Sequence, residues 1–440
     1  MSSDNKKVPQ HRFSRMASLA SLATRVAGGM ISEGAQQLAK GQRPKAKDLL
    51  LTPGNAKRIA DQLSQLRGAA MKVGQLLSMD AGDLLPAELT AILSRLRANA
   101  HAMPPRQLAE VLTQELGANW QDSFSQFSFT PLAAASIGQV HQAHADDGRS
   151  LAIKVQYPGI SASIDSDVDN VVTLLNISGL IPKSVDYRHL LTEAKRQLRA
   201  EADYLLEAQQ LSRFGALLAG DNDFALPQVL PELSSRHLLT MTYMDGSPIE
   251  GLAEQPLEVR NHAVSLLFSL LFKELFEFRL VQTDPNFANY LYQLDNQKLV
   301  LLDFGATREY SASFSEGYRQ LFSAALQYDD AGMEAALVQI GFFSEEVASS
   351  QRQAVIKLVH LACEPVRCDQ EYDFGNSDLA TQLREGGTRL SMEQGYWHSP
   401  PADALFLHRK IGGLYLLAAR LKAKINLYAL LAPHLIAKVP

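Results

Sequence analysis

The chain has 440 residues, 46% of them hydrophobic, and a formal net charge of −5. That is enough apolar material for one large core or two lobes, and the acidic balance gives no reason to expect nucleic acid as a partner. Its two cysteines, Cys363 and Cys368, argue against a disulfide framework or a structural zinc site and fit a reducing compartment.

In chain order, residues 1–50 carry nine Lys and Arg against three acidic residues, which leaves −11 for the remainder. Such a basic arm can rest on an anionic membrane surface, and Phe13 to Leu38 reads as an Ala/Ser/Gly-rich helix accompanied by Arg12, Arg15 and Arg25. A solvated tail is the equal alternative. No apolar run approaches the roughly 18 residues of a spanning helix, and no secretory core opens the chain. The expected location is therefore cytoplasmic, with a peripheral place at the inner membrane.

After a Gly/Pro/Lys break at 41–47, residues 51–105 read as a helical extension, with Ile59, Leu63, Leu66, Ala70, Val73 and Leu77 at helical spacing. Inside it stands Lys72-Val73-Gly74-Gln75. A mid-helix glycine costs about 1 kcal/mol relative to alanine, which hints at close approach by a ligand or another backbone; an ordinary helix surface is the simpler reading of the spacing.

Residues 106–245 form the next expected unit. A helix over 106–117 is followed by Ile137–His144 and Ser150–Gln156, joined through Asp146-Asp147-Gly148, a strong hairpin signal. The second of these strands holds Lys154 among apolar residues, and a buried lysine is costly unless paired. Before the hairpin, Ala133-Ala134-Ala135-Ser136 stands where a glycine-rich phosphate loop would be, and alanine bars the positive φ that glycine reaches. A single long helix over 186–215 is expected, bearing Glu201, Asp203 and Glu207; Asp203 and Glu207 would share a face and call for a cation. Residues 226–245 read as two short strands, with a hinge at Asp245-Gly246.

Residues 246–440 read as mostly helical, beginning with a helix over 256–280. Then comes the most informative stretch: Asp284 five residues before Asn289, an apolar β-like run from Lys298 to Leu302, and Asp303-Phe304-Gly305. Phosphoryl transfer on the protein-kinase plan needs a carboxylate to orient the attacking group, and an amide and a second carboxylate to hold Mg²⁺. Gln282-Thr283 replaces the usual His-Arg, and no Ala-Pro-Glu follows.

These motifs together resemble the UbiB (AarF-domain) family of atypical protein-kinase-like proteins from about residue 55 to 310. The segment from Leu407 to Tyr415 is similar to the coenzyme-Q branch without C-terminal membrane helices, and a bacterial homologue is expected. The resemblance implies an α+β, bilobal protein-kinase-like fold with an N-terminal helical extension. It implies ATP or ADP with Mg²⁺ as cofactors: Lys154 paired with Glu207, Asn289 and Asp303 as metal ligands, and Asp284 as the catalytic-loop aspartate. Ala133 to Ser136, Met241 and Tyr243 would line the nucleotide, with Lys72 and Gln75 beside Glu201 and Asp203 where a kinase admits peptide. Members serve ubiquinone biosynthesis, act as ATPases more than as protein kinases, and associate with lipids. A lipid or quinone precursor and quinone-biosynthesis enzymes are thus the expected partners. The alternative is a nucleotide-gated, non-catalytic scaffold.

Overall fold

The computed structural model describes residues 103–177, 188–343, 347–393 and 401–436, together with Gly28 and Ala69. Apart from Gly28 and Ala69, both helical, the expected helices over 13–38 and 59–77, with Lys72 and Gln75, lie outside the described residues. The chain divides into two compact units, one holding residues up to Ala208 and Val229–Tyr243, the other Gln209–Gln228 and Met244 onward.

The first unit begins with α1 (Pro105–Leu116), which Pro104-Pro105 opens because proline at the first turn sacrifices no helical hydrogen bond. Strands β1 (Gln126–Phe127), β2 (Ala133–Ala134), β3 (Gly138–His144) and β4 (Ser150–Gln156) follow. Next come α2 (Ile160–Ile177), α3 (Arg188–Glu201) and α4 (Tyr204–Leu217), the last of which crosses the division between units. After β5 (Phe224–Ala225), which belongs to the second unit, β6 (Leu238–Thr242) completes the first sheet. The sheet runs β1-β3-β4-β6, with β2 also paired to β3. At the β3–β4 turn Gly148 takes φ +87°.

Strand alternation sorts β4 into two faces. Leu151, Ile153 and Val155 pack with Leu108, Leu112, Trp120, Phe124 and Leu238 into one core. Ala152, Lys154 and Gln156 point the other way.

Two expectations are corrected here. The helix over 186–215 is broken at Ala202-Asp203, because Gln156 Nε2 donates to Ala202 O at 3.0 Å and Tyr204 N donates to Arg236 O at 3.0 Å. The Gln156 side chain and the backbone ahead of β6 have captured groups that a continuous helix would have used. Asp203 consequently precedes α4 instead of sitting inside a helix, and Leu206 N donates to its carbonyl at 3.0 Å. In 226–245 only β6 is a strand; Val229 makes a single bridge to Met241, and Pro231–Leu233 is a 3₁₀ turn.

The second unit places β7 (Ser247–Pro248), α5 (Leu257–Phe272), β8 (Leu280–Gln282), β9 (Tyr290–Gln293), β10 (Lys298–Leu301) and β11 (Thr307–Glu309) ahead of a helical array. That array is α6 (Ala312–Leu326), α7 (Asp330–Ile340), α8 (Ser349–Ala362), α9 (Leu379–Glu393), α10 (Ala402–Arg420) and α11 (Leu427–Leu435), with the short pair β12 (Tyr372–Asp373) and β13 (Lys424–Ile425) between. The expected helix over 256–280 ends as an α-helix at Phe272, widens to a π-turn over Lys273–Phe278, and leaves through Arg279 at φ 52°. The widened turn carries Glu274, which is fully buried. Among the described residues, no helix is long and apolar enough to cross a membrane.

Candidate active site

In the first unit Lys154 Nζ donates to both carboxylate oxygens of Glu207 at 2.8 Å, and it lies 5.2 Å from the Tyr204 ring centroid. Both side chains are buried, so the pair sits where its electrostatics are weakly screened. Because β4 pairs with β6 in the register Ala152↔Met241 and Lys154↔Leu239, the Met241 side chain shares the Lys154 face. Tyr243 follows β6 and donates its N–H to Ser150 O at 2.8 Å.

The alanine-rich stretch is a strand-turn-strand, not an open loop: Ala133 pairs with Val140 and Ala134 with Gln139. No residue from Ala133 to Ser136 takes positive φ, so the path is one alanine adopts without strain. Ser136 Oγ donates to Glu201 Oε2 at 3.1 Å. Asp203, expected to share a helix face with Glu207 and to call for a cation, meets Arg236 Nε at 3.4 Å.

In the second unit a hairpin does the assembling. Tyr290 pairs with Leu301, and Leu302 N donates to Asn289 O at 3.0 Å, so Asn289 before β9 and Asp303 after β10 emerge side by side. Asp284 joins them, its Oδ2 accepting from Asn289 Nδ2 at 3.3 Å. Asn286 caps the intervening 3₁₀ turn by accepting from Ala288 N at 3.2 Å. Asp303 Oδ1 accepts from Gly305 N at 3.0 Å.

The expected Mg²⁺ ligands are thus an amide oxygen and a carboxylate. Hard oxygen donors few in number suit Mg²⁺, which usually keeps waters and substrate phosphates in its remaining positions. The donor set fits the ion.

Sequence reasoning missed the support behind these groups. Gln282 and Tyr290 are buried beside Asp303 and Asn289, and the Tyr290 O–H donates to Gln282 Oε1 at 3.0 Å. Burial, then the charges of Glu274, Asp284 and Asp303, push the Tyr290 phenol far above its ordinary range, so it stays a donor. Gln282 N donates to Glu274 Oε1 at 3.2 Å, and Glu274 is ion-paired with Lys410. Burial raises the Glu274 carboxyl and lowers the Lys410 amine, while their contact opposes both shifts. The available signal was Lys410 itself, a lysine inside an apolar helix that needs a buried partner.

Comparison with known proteins places these features. Residues 95–337 match the ABC1 atypical kinase-like domain. The chain is 38% identical over 424 residues to "Atypical kinase COQ8, mitochondrial" of Saccharomyces cerevisiae, covering 96% of this chain and 84% of that one. It is 36% identical over 425 residues to "Atypical kinase COQ8B, mitochondrial" of Rattus norvegicus, covering 96% and 80%. Among solved structures, Rv3197 of Mycobacterium tuberculosis, in complex with erythromycin, aligns with a TM-score of 0.61 at 22% identity over 94% of this chain and 98% of its own, a similarity of fold.

Proposed function

The chain belongs to the ABC1 atypical kinase-like family, and on that premise we propose that it is a Mg²⁺-dependent ATPase supporting ubiquinone synthesis. It passes the γ-phosphoryl group of ATP to water or a small hydroxyl compound, not to protein. The observation that carries the reading is the buried Lys154–Glu207 pair, since a strand lysine held by a helix glutamate must be in place for a kinase-type site to engage the nucleotide phosphates. Lys154 is the phosphate ligand, and Met241 and Ala133–Ser136 bound the nucleotide. Asn289 and Asp303 hold the Mg²⁺, which supplies charge neutralisation at the phosphates when bound. Asp284 orients the attacking oxygen and takes its proton as the new P–O bond forms and the β,γ-bridging P–O bond breaks to release ADP.

What comes after Asp303 supports that acceptor class. β11 begins at Thr307 and pairs with β8, and α6 begins at Ala312. Thr283 N and Oγ1 both donate to Ala306 O, at 3.0 and 2.6 Å. A segment so short and so tied offers a peptide no platform, whereas water or a small hydroxyl needs none. The quinone-lipid context rests on the relatives' branch.

The test is phosphate release from ATP, with and without quinone-like phenols and anionic vesicles. Turnover in wild type and its loss in Asp303→Asn is the expected result. No turnover under any condition, with ligand-induced thermal shifts intact, leaves a nucleotide-gated scaffold in its place.

A further inference from the structure

Helix α10 approaches the Asp284 loop from the far end of the sequence, and two adjacent glycines record how close it comes. A Cβ built on Gly413 meets Pro285 Cβ at 2.7 Å, while one built on Gly412 has nothing within 4 Å. Pro285 directly follows Asp284, and its ring cannot swing aside without moving the backbone. Gly413 is therefore required for the contact; Gly412 is not.

One turn earlier, Arg409 Nη2 lies 3.9 Å from Asp284 Oδ1, and the neighbouring Lys410 is ion-paired with Glu274. At the start of the helix, Asp403 accepts from Arg308 Nη2 at 2.6 Å, and Phe406 lies under the Arg308 guanidinium at 4.6 Å. His408 fixes the rotation of α10: its Nε2 shares a hydrogen bond of 2.7 Å with the Tyr318 hydroxyl, and burial pulls its ring down to about 4, so at neutral pH it is uncharged. Successive turns of one helix thus touch the residue after Asp284, Asp284 itself, and the strand beyond Asp303.

We infer that α10 is the positioning platform for Asp284. Gly413 sets the distance at which the loop lies, and Arg409 supplies the cation that directs the carboxylate, in a chain where Gln282-Thr283 replaces the usual His-Arg. Arg409 and Gly413 are positioning residues: they act on the reacting atoms through Asp284. The inference rests on the reading of Asp284 given above.

The test uses the full chain with Gly413→Ala, Gly412→Ala, Arg409→Met and Arg409→Lys, read by hydrogen exchange over residues 282–289 and by ATP turnover. Gly413→Ala is expected to speed exchange in that segment about tenfold. It should lower kcat by about 10–100-fold, the range a small misplacement of a catalytic group produces, with KM for ATP changed less than about twofold. Gly412→Ala should match wild type in both. Arg409→Met should lower kcat in the same manner, and Arg409→Lys should recover part of it. If Gly413→Ala does not fold, the two Arg409 variants decide the matter. Wild-type exchange and kcat in both Gly413→Ala and Arg409→Met would overturn the inference. If wild type itself releases no phosphate, the ATPase reading fails, and exchange in the 282–289 segment alone decides whether α10 holds the loop.

Discussion

Glu207→Ala is expected to lower the unfolding free energy by about 3–5 kcal/mol, the usual cost of removing one member of a buried ion pair. Lys154 Nζ donates to both Glu207 oxygens from a strand whose every residue after Ser150 is buried. Without the carboxylate, the ammonium keeps its desolvation cost and loses that compensation. Replacing both members with apolar residues of similar volume, Lys154→Met with Glu207→Leu, should return most of the lost stability, since buried pairs are often no more stabilising than well-packed hydrophobes. It should not return nucleotide binding. Urea denaturation of the two single variants and the double variant, each with and without ATP, checks this. A Glu207→Ala loss below about 1 kcal/mol, the scale of an exposed pair, would count against a buried, functionally retained pair.

Gly138→Ala has the second large effect. An ideal Cβ there lies 2.3 Å from Val155 O and 2.7 Å from the Tyr204 hydroxyl. The carbonyl belongs to β4, paired with β3 through Gly138↔Gln156, so the new methyl group meets backbone that no rotamer change can clear. The strands must part beside Lys154. Overpacking costs about 1–3 kcal/mol and occasionally more, and contact with strand backbone sets the expectation at or above the upper end. ATP affinity should fall with it. Gly215→Ala, at a helical site with nothing within 4 Å, is the control and should be neutral or slightly stabilising. Equal denaturation midpoints for Gly138→Ala and wild type would contradict the packing described.

Several elements were legible because their determinants are local. Asp146-Asp147-Gly148 between alternating runs defines the β3–β4 hairpin, and the apolar run after residue 297 becomes β10. Lys154 announced its need for a partner by standing in an apolar strand; the resemblance pointed to Glu207, and the structure puts the two in contact. The break at Ala202 was illegible, since no glycine or proline marks it and its cause is a pair of tertiary hydrogen bonds from Gln156 and to Arg236. The π-turn that buries Glu274 was hidden for the same reason: its partner, Lys410, lies on α10. That helix was read for its resemblance alone, and its contacts with Pro285, Asp284 and Arg308 arise only on folding.

The central proposal is that ATP binding needs Lys154 and that its Mg²⁺ dependence needs Asp303. Titration calorimetry of ATP into wild type, Lys154→Met and Asp303→Asn, each with Mg²⁺ and with a chelator, tests it most directly. The account predicts Mg²⁺-dependent binding in wild type, at least about tenfold weaker in Lys154→Met, a difference of about 1.4 kcal/mol, and no Mg²⁺ dependence in Asp303→Asn. One affinity shared by all three proteins, with or without the metal, would contradict it.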